Sequence, residues 1–482
     1  MIVMNARQPN ELIQPNPQLN LDSLKNSFNQ LRQAYEADRM PNADVRRARL
    51  DKLANLLRDN TDLFAAAISA DFSHRSPHET KLLEIFPAMS AIKHATSHLR
   101  VWMRAKRSWA SLTFLPARIE LRPQPLGVVG IIVPWNYPLF LAVTPLVAAL
   151  AAGNRAYIKM SEFTPQTGAL FARLIHAAFT DNEVLVLNGE ADVAAAFAAL
   201  PFDHLLFTGS TSVGRHVMRA AADNLTPVTL ELGGKSPAII GREADIDKAA
   251  SKIMFGKCLN AGQTCIAPDY VLLPRGKEAA FIAAAKLIIE KQYPAIATNP
   301  DYSAIINQRH MTRLKSYLDE AREGGAIVTP LADCDLSTQK IAPTIVTNAK
   351  AASSLMCEEI FGPLLPLVTY DNIDEAIDYV NARARPLALY YFGHDRNEQE
   401  SILNRTVAGG VSVNETIMHV SQEALPFGGV GPSGMGAYHG KYGFDTFSKL
   451  KPIFHQSRFN SLFLLKPPYG KRIDALLKIL MK

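Results

Sequence analysis

Cysteine is scarce in this chain. Its 482 residues include four, Cys258, Cys265, Cys334 and Cys357, and no two of them form the C-x-x-C pair that is typical of zinc sites. So few cysteines in so long a chain also exclude a disulfide-stapled scaffold. We therefore expect no metal site and a reducing, cytoplasmic location.

The chain also lacks the features of nucleic-acid-binding, secreted and membrane-spanning proteins. The net charge is only +6, and no basic run stands out. Residues 1–20 contain no basic region followed by an apolar core, as a signal peptide would. Residues 123–154 carry no charge, but Pro134, Pro138 and Pro145 interrupt them, which favours a buried strand and helix over a membrane span. We expect no nucleic-acid partner, no integral span and a mobile N-terminal arm.

Strand and helix patterns alternate regularly in the first half of the chain. Apolar runs predict buried strands at residues 128–133, 156–159, 184–187, 204–207 and 228–231. Helical spacing predicts helices at residues 142–152, 166–180, 191–200 and 213–223. Such alternation predicts a parallel, doubly wound sheet, whose ligands bind beyond the carboxyl ends of its strands.

A second β/α region follows. Strands are predicted at residues 238–240, 270–273, 341–346 and 364–369, and helices at residues 277–291, 308–323 and 373–382. Outside both regions we predict amphipathic helices near residues 21–35 and 50–57, a strand at 118–122 closed by two prolines, and a loop at 406–427. The amphipathic tail at 471–482 is expected to dock on its own chain or on a partner subunit, with a membrane surface as the alternative.

Two residues suggest a nucleophile and a base. Cys265 follows Gly-Gln-Thr and precedes a small apolar run, and Glu231 ends a predicted strand about one supersecondary unit upstream. A lone cysteine is more often a buried hydrophobe, and a lone glutamate is more often solvated. Asn136 lies in the least polar part of the chain, where it either braces a turn or donates its side-chain N–H to a developing oxyanion.

Other residues at strand ends suggest a nucleotide site. Gly209 and Ser210 lie between a strand and a helix, where free N–H groups favour a pyrophosphate, although Ser210 then also fits a plain helix cap. Lys159 and Glu162 can grip a ribose diol, and Glu162 would repel a 2′-phosphate and so favour NAD over NADP. The alternative for this pair is a local surface contact.

Further along the chain, Glu359 and Phe361 precede a Gly-Pro break. This carboxylate can hold a ribose while the aromatic ring lies against a flat base. The alternative is that Glu358 and Glu359 are simply a solvated acidic pair.

Six motifs of the chain resemble the aldehyde dehydrogenase superfamily and stand in that family's order. They are Pro134-Trp135-Asn136, Phe207-Thr-Gly-Ser-Thr211, Leu230-Glu-Leu-Gly-Gly-Lys-Ser-Pro237, Gly262-Gln-Thr-Cys265, Glu358-Glu-Ile-Phe-Gly-Pro363 and Pro426-Phe-Gly-Gly429. The segment Tyr438-His-Gly-Lys-Tyr-Gly-Phe444 is similar to the class 3 branch. Ile306-Asn-Gln-Arg309 and Lys466-Pro-Pro-Tyr-Gly470 resemble the coniferyl aldehyde dehydrogenases.

The resemblance implies an α/β fold with a Rossmann-like, doubly wound cofactor domain, an α/β catalytic domain and a small bridging β element. The implied NAD-binding domain spans residues 21–232, with bridging strands at 112–125, and the catalytic domain spans residues 233–430. Residues 431–482 would return to the cofactor and oligomerisation region and end in the amphipathic tail. A homodimer is the implied assembly.

The resemblance also implies a reaction, the NAD(P)-dependent oxidation of an aldehyde to a carboxylic acid. The expected substrate is a coniferyl-type aromatic aldehyde, with an aliphatic aldehyde as the alternative. Cys265 would be the nucleophile, Asn136 an oxyanion donor and Glu231 the base for the deacylating water. The implied cofactor-binding residues are Trp135, Lys159, Glu162, Gly209, Ser210, Leu232, Gly233, Glu359 and Phe361. A cysteine-dependent ester or thioester hydrolase is a remote alternative.

Overall fold

Helices and strands alternate along most of the chain in the computed structural model, which describes residues 21–333, 338–460 and 465–481. The α-helices are α1 (Leu21–Ala37), α2 (Ala43–Asp59), α3 (Thr61–Asp71), α4 (Pro77–Thr80), α5 (Phe86–Trp102), α6 (Phe140–Ala152), α7 (Pro165–Ala178), α8 (Ala191–Ala198), α9 (Thr211–Ala222), α10 (Ile246–Cys258), α11 (Glu278–Gln292), α12 (Gln308–Glu323), α13 (Ser354–Cys357), α14 (Ile373–Asn381), α15 (Arg396–Arg405), α16 (Gly440–Thr446) and α17 (Lys471–Leu480). The arm predicted at residues 1–20 lies outside the described residues.

The strands belong to three sheets. In chain order they are β1 (Lys106–Trp109), β2 (Arg118–Pro125), β3 (Val128–Ile132), β4 (Arg155–Lys159), β5 (Val184–Leu187), β6 (His204–Thr208), β7 (Val228–Glu231), β8 (Pro237–Ile240), β9 (Tyr270–Pro274), β10 (Ile327–Pro330), β11 (Thr344–Thr347), β12 (Leu364–Tyr370), β13 (Ala388–Phe392), β14 (Gly410–Val413), β15 (Gly434–Met435) and β16 (Ser448–His455).

The first sheet confirms the predicted doubly wound architecture. Its order is β15-β7-β6-β3-β4-β5, and all pairs are parallel except that of β15 with β7. The chain winds from β3 to β4 and β5, then returns to place β6 on the other side of β3. The carboxyl ends of β3 and β6 therefore flank a crevice, which is where ligands of such sheets bind.

The uncharged stretch after residue 122 forms the strand and helix that its composition predicted. Every residue of β3 and of α6 is buried, because the sheet is covered on both faces and α6 packs inside the molecule. The helix ends where Gly153 adopts a left-handed conformation with φ +94°, which glycine accommodates without strain. In the part of the chain that the structure describes, no helix has both the length and the apolar character to cross a membrane.

The second sheet has the order β10-β11-β12-β9-β8-β13-β14, in which only β10 is antiparallel to its neighbour. The predicted strands at 238–240, 270–273, 341–346 and 364–369 are found here as β8, β9, β11 and β12. The prediction of a continuous loop at 406–427 was wrong, because it contains β14. This edge strand is paired on one side only and only partly buried, so it lacks the apolar run of an inner strand.

The third sheet joins β1, β2 and β16 in an antiparallel arrangement. The prediction that Pro123 and Pro125 would close the strand at 118–122 was wrong, since β2 continues through both. Beyond Leu121 β2 pairs with β16 alone, so prolines two residues apart are tolerated on the unpaired side. The tail helix α17 forms as predicted, and none of its residues is fully buried in the described chain.

Candidate active site

A cavity of about 830 Å³ opens at the carboxyl ends of β3, β4, β6 and β7. Its lining includes all twelve predicted site residues, which are Trp135, Asn136, Lys159, Glu162, Gly209, Ser210, Glu231, Leu232, Gly233, Cys265, Glu359 and Phe361. Cys265, Glu359 and Phe361 come from the second β/α region and face the strand ends of the first. The predicted nucleophile and the predicted nucleotide residues thus share one space.

The loop that carries Cys265 begins with an unusual backbone. Asn260, Ala261 and Gly262 have φ values of +51°, +51° and +75°. Residues other than glycine adopt this left-handed backbone conformation only at a cost in conformational energy. The Glu79 carboxylate accepts the N–H of Asn260 and is itself held by the Ser303 hydroxyl. A Cβ at Gly262 would lie 2.3 Å from a backbone oxygen, so the turn requires glycine there.

Buried polar contacts then hold the residues just before Cys265. The Gln263 amide donates to the carbonyl oxygens of Asn260 at 2.9 Å and Ala304 at 3.0 Å, and accepts the N–H of Ile306 at 2.9 Å. The Thr264 hydroxyl lies 2.7 Å from the hydroxyl of Tyr137. Because these side chains are satisfied and buried, the sulfur is presented on a rigid support.

Cys265 itself is half-buried and reaches the cavity. Burial raises the pKa of its thiol, and the nearby carboxylates of Glu359 and Glu231 raise that pKa further, while backbone N–H groups of Cys265 and Ile266 oppose the effect. The resting group is therefore the thiol, and a base must remove its proton before it can act as a nucleophile.

Glu231 is one candidate for such a base, and its carboxylate lies at the same end of the cavity as Cys265. It ends β7, is 2% exposed, and neither of its side-chain oxygens has a hydrogen-bond partner within the described residues. Burial raises the pKa of Glu231 well above 4.5. An unpaired buried carboxylate is costly to keep, which points to a group that works on a ligand or a water molecule.

Asn136 braces the turn after β3, as one of the two alternatives for it predicted, and it also lines the cavity. Its side-chain N–H donates to the carbonyl oxygen of Gln263 at 3.2 Å, and its own carbonyl accepts from Asn260 at 3.0 Å and from Arg75 at 3.2 Å. These bonds brace the turn after β3. They use one of the two N–H bonds of the side-chain amide, and the second remains for a group in the cavity.

The nucleotide half of the cavity lies along β4 and the start of α9. Ser210 caps α9 by accepting the N–H of Val213 at 3.4 Å, as the alternative of a plain helix cap predicted. Ser210 and Gly209 also line the cavity, so the start of α9 faces it. Lys159 Nζ lies 3.2 Å from the Glu162 carboxylate. Lys159 is only 1% exposed and Glu162 is partly exposed, so the two form the local contact that the sequence also allowed, and both line the cavity.

Glu359 and Phe361 form the opposite wall. The Glu359 carboxylate lies so close to Gly233 that a Cβ there would be 2.0 Å from its oxygen. Burial, and then Asp269, raise the pKa of Glu359 to about 8, and one of its oxygens has no partner among the described groups. Glu359 is therefore not a solvated acidic residue. The Phe361 ring meets Trp135 edge-on at 5.3 Å.

The sequence did not single out two further parts of the lining. Small and apolar side chains of α8 and α9 also line the cavity, namely Ala194, Ala195, Val213 and Val217, and the run of alanines in α8 is the signal that could have indicated them. Arg313 on α12 donates to the carbonyl oxygen of Ile360 at 2.8 Å and so holds the loop that carries Phe361. No local pattern links residues so far apart in the chain. Nowhere in the described ranges do three metal-ligating side chains cluster around a common point.

Comparison with known proteins gives a family match and close relatives. Residues 5–453 match the model of the Aldehyde dehydrogenase family. The chain is similar to a probable coniferyl aldehyde dehydrogenase of Pseudomonas aeruginosa, with 51% identity over 95% of this chain and 96% of the relative. It is also 40% identical to aldehyde dehydrogenase family 3 member A2 of Rattus norvegicus, over 89% of this chain and 88% of the relative.

Solved structures show the same architecture. A substrate-bound structure of AldH from Staphylococcus aureus superposes with a TM-score of 0.91 at 37% identity, covering 95% of this chain and 99% of that one. A Mycobacterium tuberculosis aldehyde dehydrogenase complexed with NAD+ superposes with a TM-score of 0.82 at 27% identity, covering 92% of this chain and 91% of that one. The three-part fold predicted from the motifs is thereby confirmed.

Proposed function

The chain belongs to the aldehyde dehydrogenase family, and from that premise we propose that it oxidises a coniferyl-type aromatic aldehyde to its carboxylic acid with NAD as the preferred acceptor. NAD(P)-dependent oxidation of an aldehyde is the activity of the family. The observation that carries the proposal is the cavity in which the Cys265 thiol and the unpaired Glu231 carboxylate meet a nucleotide-sized cleft. The 51% identity to a probable coniferyl aldehyde dehydrogenase supports the aromatic substrate.

The cleft has the donors and acceptors that NAD requires. Lys159 and Glu162 would hold the adenosine ribose, Ser210 with Gly209 the pyrophosphate, and Glu359 with its unpaired oxygen the second ribose. The Phe361 ring would lie against the nicotinamide, and Trp135, Leu232 and Gly233 line the same stretch of the cavity. When bound, NAD supplies the acceptor for the hydrogen that leaves the aldehyde carbon with its electron pair.

Cys265 carries out the covalent chemistry. Its sulfur adds to the aldehyde carbon after loss of the thiol proton, because an aldehyde has no group able to expel a hydride until something has added to its carbonyl. The oxygen becomes an oxyanion, which the free N–H of Asn136 and the backbone N–H of Cys265 would stabilise. Losing one such donor typically costs ~2.7–4 kcal/mol of barrier.

Glu231 then completes the reaction. Oxidation leaves a thioester on Cys265, which must be hydrolysed to release the acid. Glu231 would take a proton from the attacking water, and its position beside Cys265 also suits it to accept the thiol proton in the first step. Neither oxygen has a hydrogen-bond partner among the described groups, so both are available for these transfers.

A panel of substrates tests the proposal directly. Purified protein with NAD is expected to reduce the cofactor with coniferyl-type and cinnamyl-type aldehydes at a higher kcat/KM than with long aliphatic aldehydes, followed by the absorbance of the reduced cofactor. A reversed order would replace the aromatic substrate by the aliphatic alternative. Ester or thioester hydrolysis in the absence of NAD, without any aldehyde turnover, would favour the hydrolase.

Glu162 is expected to set the preference for NAD. Its carboxylate, held beside Lys159 at 3.2 Å, would repel a ribose 2′-phosphate, so Glu162→Gln should improve kcat/KM for NADP while lowering that for NAD. The ratio NAD to NADP is expected to fall about tenfold, as removal of ~1.4 kcal/mol of repulsion would produce. An unchanged ratio would assign the preference to other residues.

The domain boundaries, the assembly and the location are proposed from the same family membership. We propose residues 21–232 as the NAD-binding domain with 112–125 as its bridging part, 233–430 as the catalytic domain, and 431–482 as the returning segment. A homodimer is supported by large apolar side chains exposed on the third sheet, among them Trp109, Ile119 and Phe454. Analytical ultracentrifugation tests the dimer, which should sediment with twice the chain mass of 52.9 kDa.

A cytoplasmic location is proposed from the scarcity of cysteine.

A further inference from the structure

A buried ion pair lies directly behind the candidate oxyanion residue. Arg75 and Glu84 are both completely buried, and Arg75 Nη1 lies 2.7 Å from the Glu84 carboxylate. Neither residue lines the cavity of the active site. Removing two charges from water is expensive, and replacement of such a pair by apolar groups is often neutral or stabilising. Stability alone is therefore a poor explanation for it.

The contacts of the pair converge on the turn between β3 and α6. The same Nη1 atom of Arg75 donates to the backbone oxygen of Asn136 at 3.2 Å. One oxygen of Glu84 accepts the N–H groups of Leu139 at 2.8 Å and Phe140 at 3.1 Å, where α6 begins. These N–H groups have no partner within the helix, and a carboxylate suits the positive end of the helix dipole.

Ring contacts extend the cluster toward the nucleophile. The Arg75 guanidinium lies over the ring of Tyr137 at 4.8 Å and over that of Phe72 at 5.4 Å. Two of its nitrogens have no hydrogen-bond partner among the described residues, and these ring contacts stabilise the cation in their place. The Tyr137 hydroxyl reaches Thr264, the residue before Cys265. Arg75 thus contacts both Asn136, which would stabilise the oxyanion, and Tyr137, which supports the loop that carries Cys265.

We propose that Arg75 and Glu84 are positioning residues for the reaction, which hold Asn136 and the Cys265 loop in register so that the oxyanion donor and the sulfur face the same carbonyl. This inference rests on the roles of Asn136 and Cys265 in the proposed function. Displacement of reacting groups by ~1 Å can cost about 10²-fold in rate. The pair acts through backbone and ring contacts and touches no reacting atom.

The chain offers a matched control at the other end of the same helix. Arg46 is 2% exposed and donates to the carbonyl oxygens of Ala151 at 3.0 Å and Ala152 at 2.7 Å, where α6 ends. Arg46 belongs to α2, so Arg46→Met removes a buried guanidinium that contacts the end of α6 and leaves the turn that contains Asn136 unchanged. Arg75→Met and Glu84→Gln remove the contacts at the start of the helix.

The test compares the full-length variants by kinetics and by thermal unfolding. Arg75→Met is expected to lower kcat per titrated Cys265 thiol by about 10- to 100-fold while the Kd of NAD changes by less than about twofold. A primary isotope effect with C1-deuterated aldehyde should appear, because breaking the C–H bond becomes rate-limiting. Arg46→Met should lower Tm and leave kcat, the Kd of NAD and the isotope effect at their wild-type values.

A double-mutant cycle separates positioning from stability. If Arg75 acts through Asn136, Arg75→Met in an Asn136→Ala background should reduce kcat no further than Asn136→Ala alone. Should Arg75→Met fail to fold, Glu84→Gln and Arg75→Lys carry the same measurements. Variants with lowered Tm but wild-type kcat and no isotope effect would overturn the inference. A wild-type protein without aldehyde turnover would instead overturn the proposed function.

Discussion

Cys265→Ser is expected to abolish aldehyde oxidation while leaving NAD binding intact. An alcohol has a far higher pKa than a thiol and is a poorer nucleophile, and no other described side chain in the cavity can form the thioester. Loss of a covalent nucleophile typically lowers kcat by about 10⁴- to 10⁶-fold. Titration of the variant with NAD, followed by quenching of tryptophan fluorescence, should give the wild-type Kd, because the nucleotide contacts lie elsewhere in the cleft.

Cys258→Ser provides the control for this prediction. Cys258 is buried at the end of α10 and does not line the cavity, so the substitution should affect Tm and leave turnover per folded molecule unchanged. Substantial turnover by Cys265→Ser would remove the sulfur from the mechanism. Equal losses in both variants would point to a folding defect and would likewise contradict a specific role for Cys265.

Glu231→Gln is expected to separate the two halves of the reaction. Gln cannot take a proton from water, so thioester hydrolysis should slow by about 10²- to 10⁴-fold, the usual contribution of a general base. The first turnover, in which Cys265 adds to the aldehyde and the hydride passes to the cofactor, should survive, because it consumes no water. Stopped-flow mixing with excess aldehyde should then show a burst of reduced cofactor, close to one per active site, followed by a slow steady state.

The pH dependence of the wild type gives an independent check on Glu231. Burial raises the pKa of this carboxyl well above 4.5, so its proton is lost at a higher pH than from an exposed glutamate. Only the ionised form can act as a base, and the deacylation rate should therefore rise with pH until the raised pKa is passed. The rising limb should be absent from Glu231→Gln, and its persistence would assign the titration to another group.

Glu231→Asp is the conservative companion to this variant. It keeps the carboxylate but withdraws it by one methylene from the cavity, so it should retain part of the deacylation rate and the rising pH limb. A steady-state rate of Glu231→Gln equal to that of the wild type would exclude Glu231 as the base. Such a result would leave Glu359, the other buried carboxyl beside Cys265, as the next residue to test.

Local patterns were sufficient to predict much of the first sheet. The apolar runs at residues 128–133 and 204–207 are typical of strands covered on both faces, and glycine and proline marked where they end. β14 and β15 escaped prediction because an edge strand needs few apolar residues and little length. The continuation of β2 through Pro123 and Pro125 escaped it because tolerance of proline depends on whether a neighbouring strand is present.

The amino-acid sequence alone determined the strand-helix alternation of the first sheet and the residues that could react, and the resemblance of its motifs indicated the class of protein, because each of these depends on the pattern of residues along the chain. Only the tertiary structure decided that Cys265 and Glu231 share a cavity, that Lys159 is buried beside Glu162, and that Arg75 reaches Asn136. Burial, pKa and hydrogen bonding depend on what packs against a group from distant parts of the chain. For Glu231 and Glu359 that packing is what raises the pKa of their carboxyl groups.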